Sequence, residues 1–469
     1  MRHSMQLRCG RKCWPALVAA AALACATSAR ADGDAPLPRW WPELTPVLNV
    51  QSAGFIEGHD GWGAPPEQYG PVGKSWLELS VESGLEARVH TAHGMTLFGE
   101  VTGMLSFTGG GLDAAGSNLD PRKPKNFQLE KAYAGWRSGD LFPGLGKDAL
   151  EISGGSQRYT IGTGMLVRTA GSNGGKRGAD WLAPRTAFQL TGITRLHTGP
   201  LLAEAFYLRP NDVPFSSTDI AGTNLEVTLP AATLGFAYLH FVSSQISRRD
   251  GLDVWNARAG VTPVSGIPDF RIDGEVAFED NGGQTGAGYG NTIDNAYGGY
   301  VEPGYQLSRL PWKPRLSYRY ALFSGDTPGS DGSRNFDPLF YSSTDWGSWI
   351  QGELLGEFQS LNSNLISHQV RLRATPSDSL VVNVIYYHFQ SVTRAPSALT
   401  SLPASVRQSG RMSSRGIGDE VNFTLDWSVT AQLSLSAVYG FNVPASGARG
   451  ATGGSQVWSH GMLYLSWSL

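Results

Sequence analysis

Two stretches of the chain carry arginine at alternate inward positions. In RLSYRYALF, Arg315 and Arg319 share a face with Ser317 and Ala321; in 364–374, Arg371 and Arg373 share a face with Gln369. A period of two puts each set on one side of an extended strand. Neither stretch contains an acid. Guanidinium keeps its charge and offers a planar donor fork that fits a carboxylate. Two such strands side by side would form an anion-binding wall. Arg185, Arg258 and Arg271 add cations on other segments. The competing expectation is ordinary ion pairing with Glu78, Glu82, Glu86 and Asp273, which occupy the polar faces of their own segments.

Covalent chemistry has little support. The chain holds no G-x-S-x-G, no H-E-x-x-H and no P-loop. GAGYG at 286–290 lacks the strand-to-helix setting of a nucleotide loop and reads as a loop tip. His59, His90, His93, His197, His240, His368, His388 and His460 are scattered, and His90 and His93 flank a tight turn. The segment 324–346 mixes Asp326, Asp331 and Asp337 with Phe336, Phe340, Tyr341 and Trp346. It reads as a loop closed by its own aromatics, with a loop folded into a pore or a calcium site as alternatives. Its carboxylate spacing does not match an EF-hand. No catalytic residue, metal ligand or cofactor is expected.

The elements that must position the arginines are strands. Segments of about ten residues alternate apolar and polar between Gly-, Ser-, Asn- and Pro-rich stretches. In 270–279, Phe270, Ile272, Val276 and Phe278 oppose Arg271, Asp273, Glu275 and Glu279; from 77 to 89 the parity holds throughout. A soluble sandwich would turn the apolar face inward, whereas a transmembrane barrel turns it toward lipid. Three features favour the barrel. The polar faces carry full charges, as a wet lumen tolerates. Aromatics stand at strand ends, at Trp76, Tyr133, Trp136, Tyr207, Trp255, Tyr386, Tyr387, Trp427, Tyr439 and Trp467. Connections alternate short and long.

Strands are placed near 49–57, 75–90, 95–106, 126–137, 150–158, 185–194, 200–208, 223–229, 233–242, 253–261, 270–279, 295–306, 314–323, 364–374, 380–390, 417–428, 431–440 and 458–469. The fold class is therefore all-β, a transmembrane antiparallel barrel of about eighteen strands, with long extracellular loops and short periplasmic turns. The count requires 347–358 to be loop. The turn at 138–149 is long for a periplasmic one. Leu463, Leu465, Trp467 and Leu469 alternate to the C-terminus, the kind of strand that barrel-assembly machinery reads, with Leu469 in place of a final aromatic.

Residues 1–31 read as a cleaved secretory signal: Arg2, Arg8, Arg11 and Lys12, an apolar run from Trp14 to Ala26, then Ala29-Arg30-Ala31. The run is too short to span a bilayer. All three cysteines (Cys9, Cys13, Cys25) lie within it, so the mature chain, 32–469, is expected to be one cysteine-free barrel domain. Disulfide staples, thiol catalysis and Cys-ligated metals are excluded from that part. Removal of the signal takes five positive charges and no acid, moving the net charge from -3 to -8. Nucleic acid is not expected as a partner.

The runs YRYALFSGDTP, FDPLFYSSTDWG and NLISHQVRLRATPSDSL resemble the alginate-export family of outer-membrane porins, as does GSQRYTIGTGML at 155–166. The resemblance implies an eighteen-stranded barrel with a cation-lined lumen. It implies Arg158, Arg319, Arg371 and Arg373 as pore-lining cations and a 324–363 loop that covers or plugs the pore. No dense set of lysines flanks these arginines. The expected function is a passive, anion-selective outer-membrane channel, exporting an acidic polysaccharide such as alginate. The alternatives are an uptake porin for small organic acids or aromatic compounds, or a barrel enzyme. Expected surroundings are outer-membrane lipid and lipopolysaccharide, with periplasmic export components as partners.

Overall fold

The computed structural model describes residues 42–64, 73–110, 125–171, 173–174, 177–211, 217–282, 292–327, 334–341, 351–359, 361–395 and 412–469. The signal segment with its cysteines, the 286–290 tip, Asp331 and Trp346 lie outside them. Eighteen antiparallel strands form a single sheet. They are β1 (Glu43–Gly58), β2 (Gly73–His90), β3 (Thr96–Gly110), β4 (Lys125–Arg137), β5 (Leu150–Gln157), β6 (Phe188–Thr198), β7 (Leu201–Arg209), β8 (Thr218–Leu229) and β9 (Ala232–Ser244). Then come β10 (Asp253–Val261), β11 (Phe270–Asp280), β12 (Ala296–Gln306), β13 (Arg315–Phe323), β14 (Leu365–Ser377), β15 (Leu380–Ser391), β16 (Gly416–Ser428), β17 (Leu433–Pro444) and β18 (Trp458–Ser468). Each strand pairs with its sequence neighbours, and β1 pairs with both β2 and β18, so the sheet closes. Closure leaves no unpaired edge, which is what lets a sheet cross a bilayer.

The longest connections follow odd-numbered strands, although those after β7 and β9 are no longer than the ones after β10 and β12. The 138–149 turn is the longest on the short side, and it folds on itself through the Asp148 side chain, which accepts the Gly139 amide at 3.1 Å. Part of the 347–358 stretch forms an eight-residue π-helical segment, Gly352–Gln359, and adds no strand. Called the inner helix below, it lies inside the barrel against β16, with Glu353, Leu354 and Leu355 buried.

The parity chosen for the strands is the one observed. Leu463 and Ile56 point outward at 72% and 71% exposure, a burden on a soluble protein and the required surface against lipid. The aromatic girdle is real for Trp255, Tyr386, Trp427 and Tyr439, which face outward. It fails for Trp76 and Tyr387, which are buried on the inner face, and for Tyr133, whose hydroxyl donates to Glu100 at 3.1 Å. Toward the long-loop end the outer face repeats one device three times. Tyr207 and Arg209 both donate to Asp219; Tyr238 and His240 meet Asp253; Tyr386 and His388 meet Asp419. A tyrosine, a base two residues on and an aspartate across the ladder hold polar groups together where lipid headgroups begin.

The interior holds the packed core. Tyr159, Ile161, Met165, Leu166 and Val167 from the β5–β6 loop meet Phe336 and Phe340 from the β13–β14 loop and Leu354 from the inner helix. Against them stand wall residues such as Phe188, Phe241, Phe323 and Phe389. A wide barrel cannot fill its lumen from the wall alone, so folded-in loops supply the apolar mass.

Candidate substrate path

Register sets the arginines beside one another. Arg315 faces Arg373, Ser317 faces Arg371, and Arg319 faces Gln369 across β13 and β14. β13 rises from a short turn, so Arg315 and Arg373 stand at the short-turn rim. Each further step of two residues climbs about 7 Å at ~3.4 Å per residue. Arg373 is exposed, and among the described residues no carboxylate lies within ion-pair reach. Arg371 donates from Nε to Asn383 Oδ1 at 2.9 Å. Arg319 is nearly buried, donates to Glu302 from Nε at 2.8 Å and Nη2 at 2.6 Å, and lies 4.9 Å over the Tyr300 ring.

The acid-free reading therefore holds for β13 and β14 but not for the wall around them. β12 brings Glu302 to Arg319, and β11 brings Asp273 to Arg315 at 3.7 Å and to Arg271 at 2.8 Å. Arg258 pairs with Glu226 at 3.1 Å, and Arg158 with Glu82 at 3.1 Å. Five of the eight expected pore cations are thus in ion pairs. Arg185 departs from expectation differently: it lies in the loop before β6, not on a strand, and is fully buried. Its Nη2 donates to Ser106 at 3.2 Å. Burial pulls its pKa below the usual guanidinium value, against the attraction of Glu130.

The sequence reading missed a set of wall glutamates that anchor loops. Glu78 accepts the Trp181 and Leu182 amides at 3.2 and 2.8 Å. Glu130 accepts those of Thr186 and Ala187 at 2.9 and 3.0 Å. Glu279 accepts the Asp337 amide at 2.8 Å. Glu420 accepts the Leu354 and Leu355 amides at 3.1 and 3.0 Å, and the Asn422 and Asn442 side-chain amides at 2.9 and 3.0 Å. Infolded backbone needs acceptors in place of a ladder, and each glutamate supplies them. Their shared sequence signal is an inward-parity acid within a few residues of a long loop.

The β5–β6 loop crosses the lumen. Thr163 at its tip donates to Glu275 of β11. Gly162 lies against the Arg258 guanidinium with φ +51°, a position where a side chain would meet both strain and Arg258. Between this loop and β1 and β18 lies a cavity of about 520 Å³, with Arg158, Arg168, Gln51 and Tyr464 in its lining.

The β13–β14 loop is pinned by Asp337, which takes Arg249 Nε at 2.9 Å and Nη2 at 2.6 Å, with Arg248 at 3.4 Å. Burial works to raise the Asp337 pKa, but Arg249 and Arg248 outweigh it and hold the group well below the carboxylate range. Asp326 accepts the Thr327 and Arg334 amides. These two carboxylates thus serve the loop, and no group of three or more metal-ligating side chains occurs among the described residues. Replacing Asp337 by Ala leaves the part-buried guanidinium groups of Arg249 and Arg248 without that carboxylate and is expected to destabilise the loop by about 1–3 kcal/mol. Amide exchange across 334–341 measures this; unchanged protection there would refute the pin.

A closed eighteen-stranded barrel with an apolar exterior, a charged interior and infolded loops is an outer-membrane porin-like channel. The chain belongs to the alginate-export family, whose model, described as alginate export, matches residues 95–451. Solved structures of outer-membrane proteins share the fold at low identity. OccK5 (OpdH) of Pseudomonas aeruginosa is 9% identical, with TM-score 0.56 over 90% of this chain and 98% of its own. OccAB2 of Acinetobacter baumannii is 11% identical, with TM-score 0.55 over 91% and 98%. OpdK of Pseudomonas aeruginosa, solved with vanillate, is 11% identical, with TM-score 0.53 over 90% and 98%. Among curated proteins no sequence matches this chain.

Proposed function

We propose that this protein is a passive channel for an anionic solute, with an acidic polysaccharide of the alginate type as the exported cargo. The observation that carries the reading is the arginine ladder on β13 and β14. Arg373 opens to the short-turn rim and Arg371 stands one step up, with Arg319, already held by Glu302, one step further. A low-dielectric wall concentrates the field of such cations and draws anions along it. The many paired arginines keep the remaining lumen near neutrality, so selectivity rests on few groups. No energy source is needed. On this reading the short-turn rim faces the periplasm and export components, and lipopolysaccharide surrounds the upper girdle.

A second reading, uptake of small aromatic or organic acids, is favoured by the infolded loops and inner helix, which narrow the lumen. OpdK, solved with vanillate, offers a small carboxylate as a probe.

The test is reconstitution of the refolded mature chain in a planar bilayer, with the reversal potential read in a salt gradient. Arg371→Glu with Arg373→Glu is expected to shift the reversal potential toward cation preference by tens of percent or more of its full range. Unchanged selectivity would sink the proposal. Block by polyuronate oligomers supports export; block by vanillate alone supports the second reading.

A further inference from the structure

The outer face of the barrel changes character along its height. Among the described residues, every charged or imidazole side chain at an outward strand position lies within four residues of a long-loop end. Toward the short turns the outward positions are mostly apolar, as at Val384, Phe423 and Leu425. The polar side chains also share one level. Arg209 stands eight residues from Leu201 on β7, and Asp253 eight from Val261 on β10. His388 stands eight from Leu380 on β15, and Asp419 eight from Trp427 on β16. At about 3.4 Å per residue and a strand tilt of about 40°, that is about 20 Å, most of the ~25 Å lipid-facing band of such barrels. These side chains therefore mark the upper edge of the lipid.

Two groups of four strands carry them. On β7–β10, Tyr207 and Arg209 donate to Asp219 at 2.6 and 2.7 Å, and Tyr238 and His240 meet Asp253 at 2.6 and 2.8 Å. On β13–β16, Tyr320, His368, His388 and Asp419 face one another in a single row across the ladder. The Tyr318 hydroxyl lies 2.8 Å from His368 Nδ1, while Tyr386 and His388 meet Asp419 at 2.6 and 2.8 Å. The contacts at Asp253 and Asp419 all fall on Oδ1, and both side chains are exposed, which leaves Oδ2 to accept from outside the protein. Across the next ladder Asp419 faces Val443 of β17, where the polar row ends.

We propose that these two outward surfaces dock the amino-sugar headgroup of the outer leaflet's lipopolysaccharide. The inference rests on the outer-membrane reading and adds which side chains hold the headgroup and by what chemistry. A sugar hydroxyl both donates and accepts, and the surfaces offer both. Aspartate oxygens and tyrosine lone pairs accept; imidazole and guanidinium donate. The rings of Tyr318 and Tyr386, 42% and 40% exposed, add apolar planes for the C–H faces of a sugar. A bare phosphate fits less well. The aspartates repel it, and Arg209, the permanent cation of the two surfaces, already spends Nε and Nη2 on Asp219.

The test refolds the mature chain into micelles of lauryldimethylamine oxide, a detergent without sugar, and reads bound lipid by native mass spectrometry. The probes are lipid A, lipid A stripped of its phosphates, and phosphatidylglycerol. Both forms of lipid A are expected to bind about tenfold tighter than phosphatidylglycerol, as one or two good hydrogen bonds allow. Tyr386→Phe should weaken lipid A at the β13–β16 surface about threefold. Adding His388→Leu and Asp419→Leu should remove one tightly bound lipid A per chain. Conductance should be unchanged in both variants, since the substitutions face away from the lumen. Tyr386→Phe keeps its ring and carries the test if the triple variant folds poorly.

Three results overturn the docking surfaces. Binding that disappears with the phosphates shows a contact that reads phosphate alone. Phosphatidylglycerol held as tightly as lipid A shows no headgroup preference. Variants that keep native lipid A binding place the headgroup elsewhere. Failure of the channel reading looks different: conductance or selectivity is absent while lipid A still binds.

Discussion

In a Glu420→Ala variant the inner helix comes free while the barrel stays closed. The native carboxylate takes four hydrogen bonds, from the Leu354 and Leu355 amides and from Asn422 and Asn442. Truncation leaves four buried donors without that acceptor. The strand ladder on either side of β16 is untouched, because it runs through backbone groups alone. Lumen water can recover some of these donors, so the expected loss is about 3 kcal/mol rather than the sum of four. That corresponds to roughly 100-fold faster exchange at the Leu354 and Leu355 amides. Strand amides should keep their protection, and single-channel conductance should rise. Gly352 adds a constraint: its φ is +90°, and a side chain there would press on the Glu420 carboxylate. Unchanged exchange at 354 and 355 would show that something other than Glu420 holds the helix.

Raising the pH should loosen the same helix through Glu353. Its carboxyl is pushed from the usual 4.5 up to about 8 by burial first, and then by Glu420 and Asp426. Tyr387 on β15 is also close enough to feel its charge. The helix therefore docks with Glu353 protonated. An acid whose folded pKa is raised binds more protons folded than free, so stability falls as pH rises between the two values. The contribution is fully present below 4.5 and falls by about 1.4 kcal/mol per pH unit until about pH 8. Beyond that it falls no further. Conductance of the native chain is thus expected to climb from pH 6 to pH 9, and Glu353→Gln should flatten the climb with the helix docked throughout. A native chain with pH-independent conductance, or a Glu353→Gln variant that still responds, would contradict this. Asp337 has the opposite sign: its depressed pKa makes the β13–β14 loop weaken only in strong acid.

Every expected strand exists, and the 314–323 and 364–374 segments begin and end within three residues of β13 and β14. Alternation is a local property, written in consecutive side chains, and the pleat enforces it. Ends were less legible. β1 starts at Glu43, six residues ahead of the expected start, because pairing with β2 reaches back to Arg88. Arg185 was placed at the start of a strand that begins at Phe188. Its stretch carries no alternation that would separate loop from strand, and the Glu130 carboxylate captures its backbone instead.

The ion pairs were half legible. Arg319 and Glu302 lie on adjacent strands, so their meeting follows once the β12–β13 register is known. That register is a consequence of turn geometry and of pairing along the whole strand, which periodicity does not report. The loop anchors were not legible as pairs. Glu78 meets Leu182 across 104 positions, Arg249 meets Asp337 across 88, and Glu420 meets Leu355 across 65. No local pattern encodes such partners.

The amino-acid sequence by itself determined the number of strands, the two faces of each, and which face meets lipid. Those follow from the period of two and from where charge is tolerated. It also determined that β13 and β14 carry cations without acids. The tertiary structure decided which of those cations are neutralised, because closing the sheet brings β11 and β12 carboxylates into reach. It decided as well that wall glutamates hold the loops inside, since an infolded backbone must find acceptors wherever the closed barrel places them.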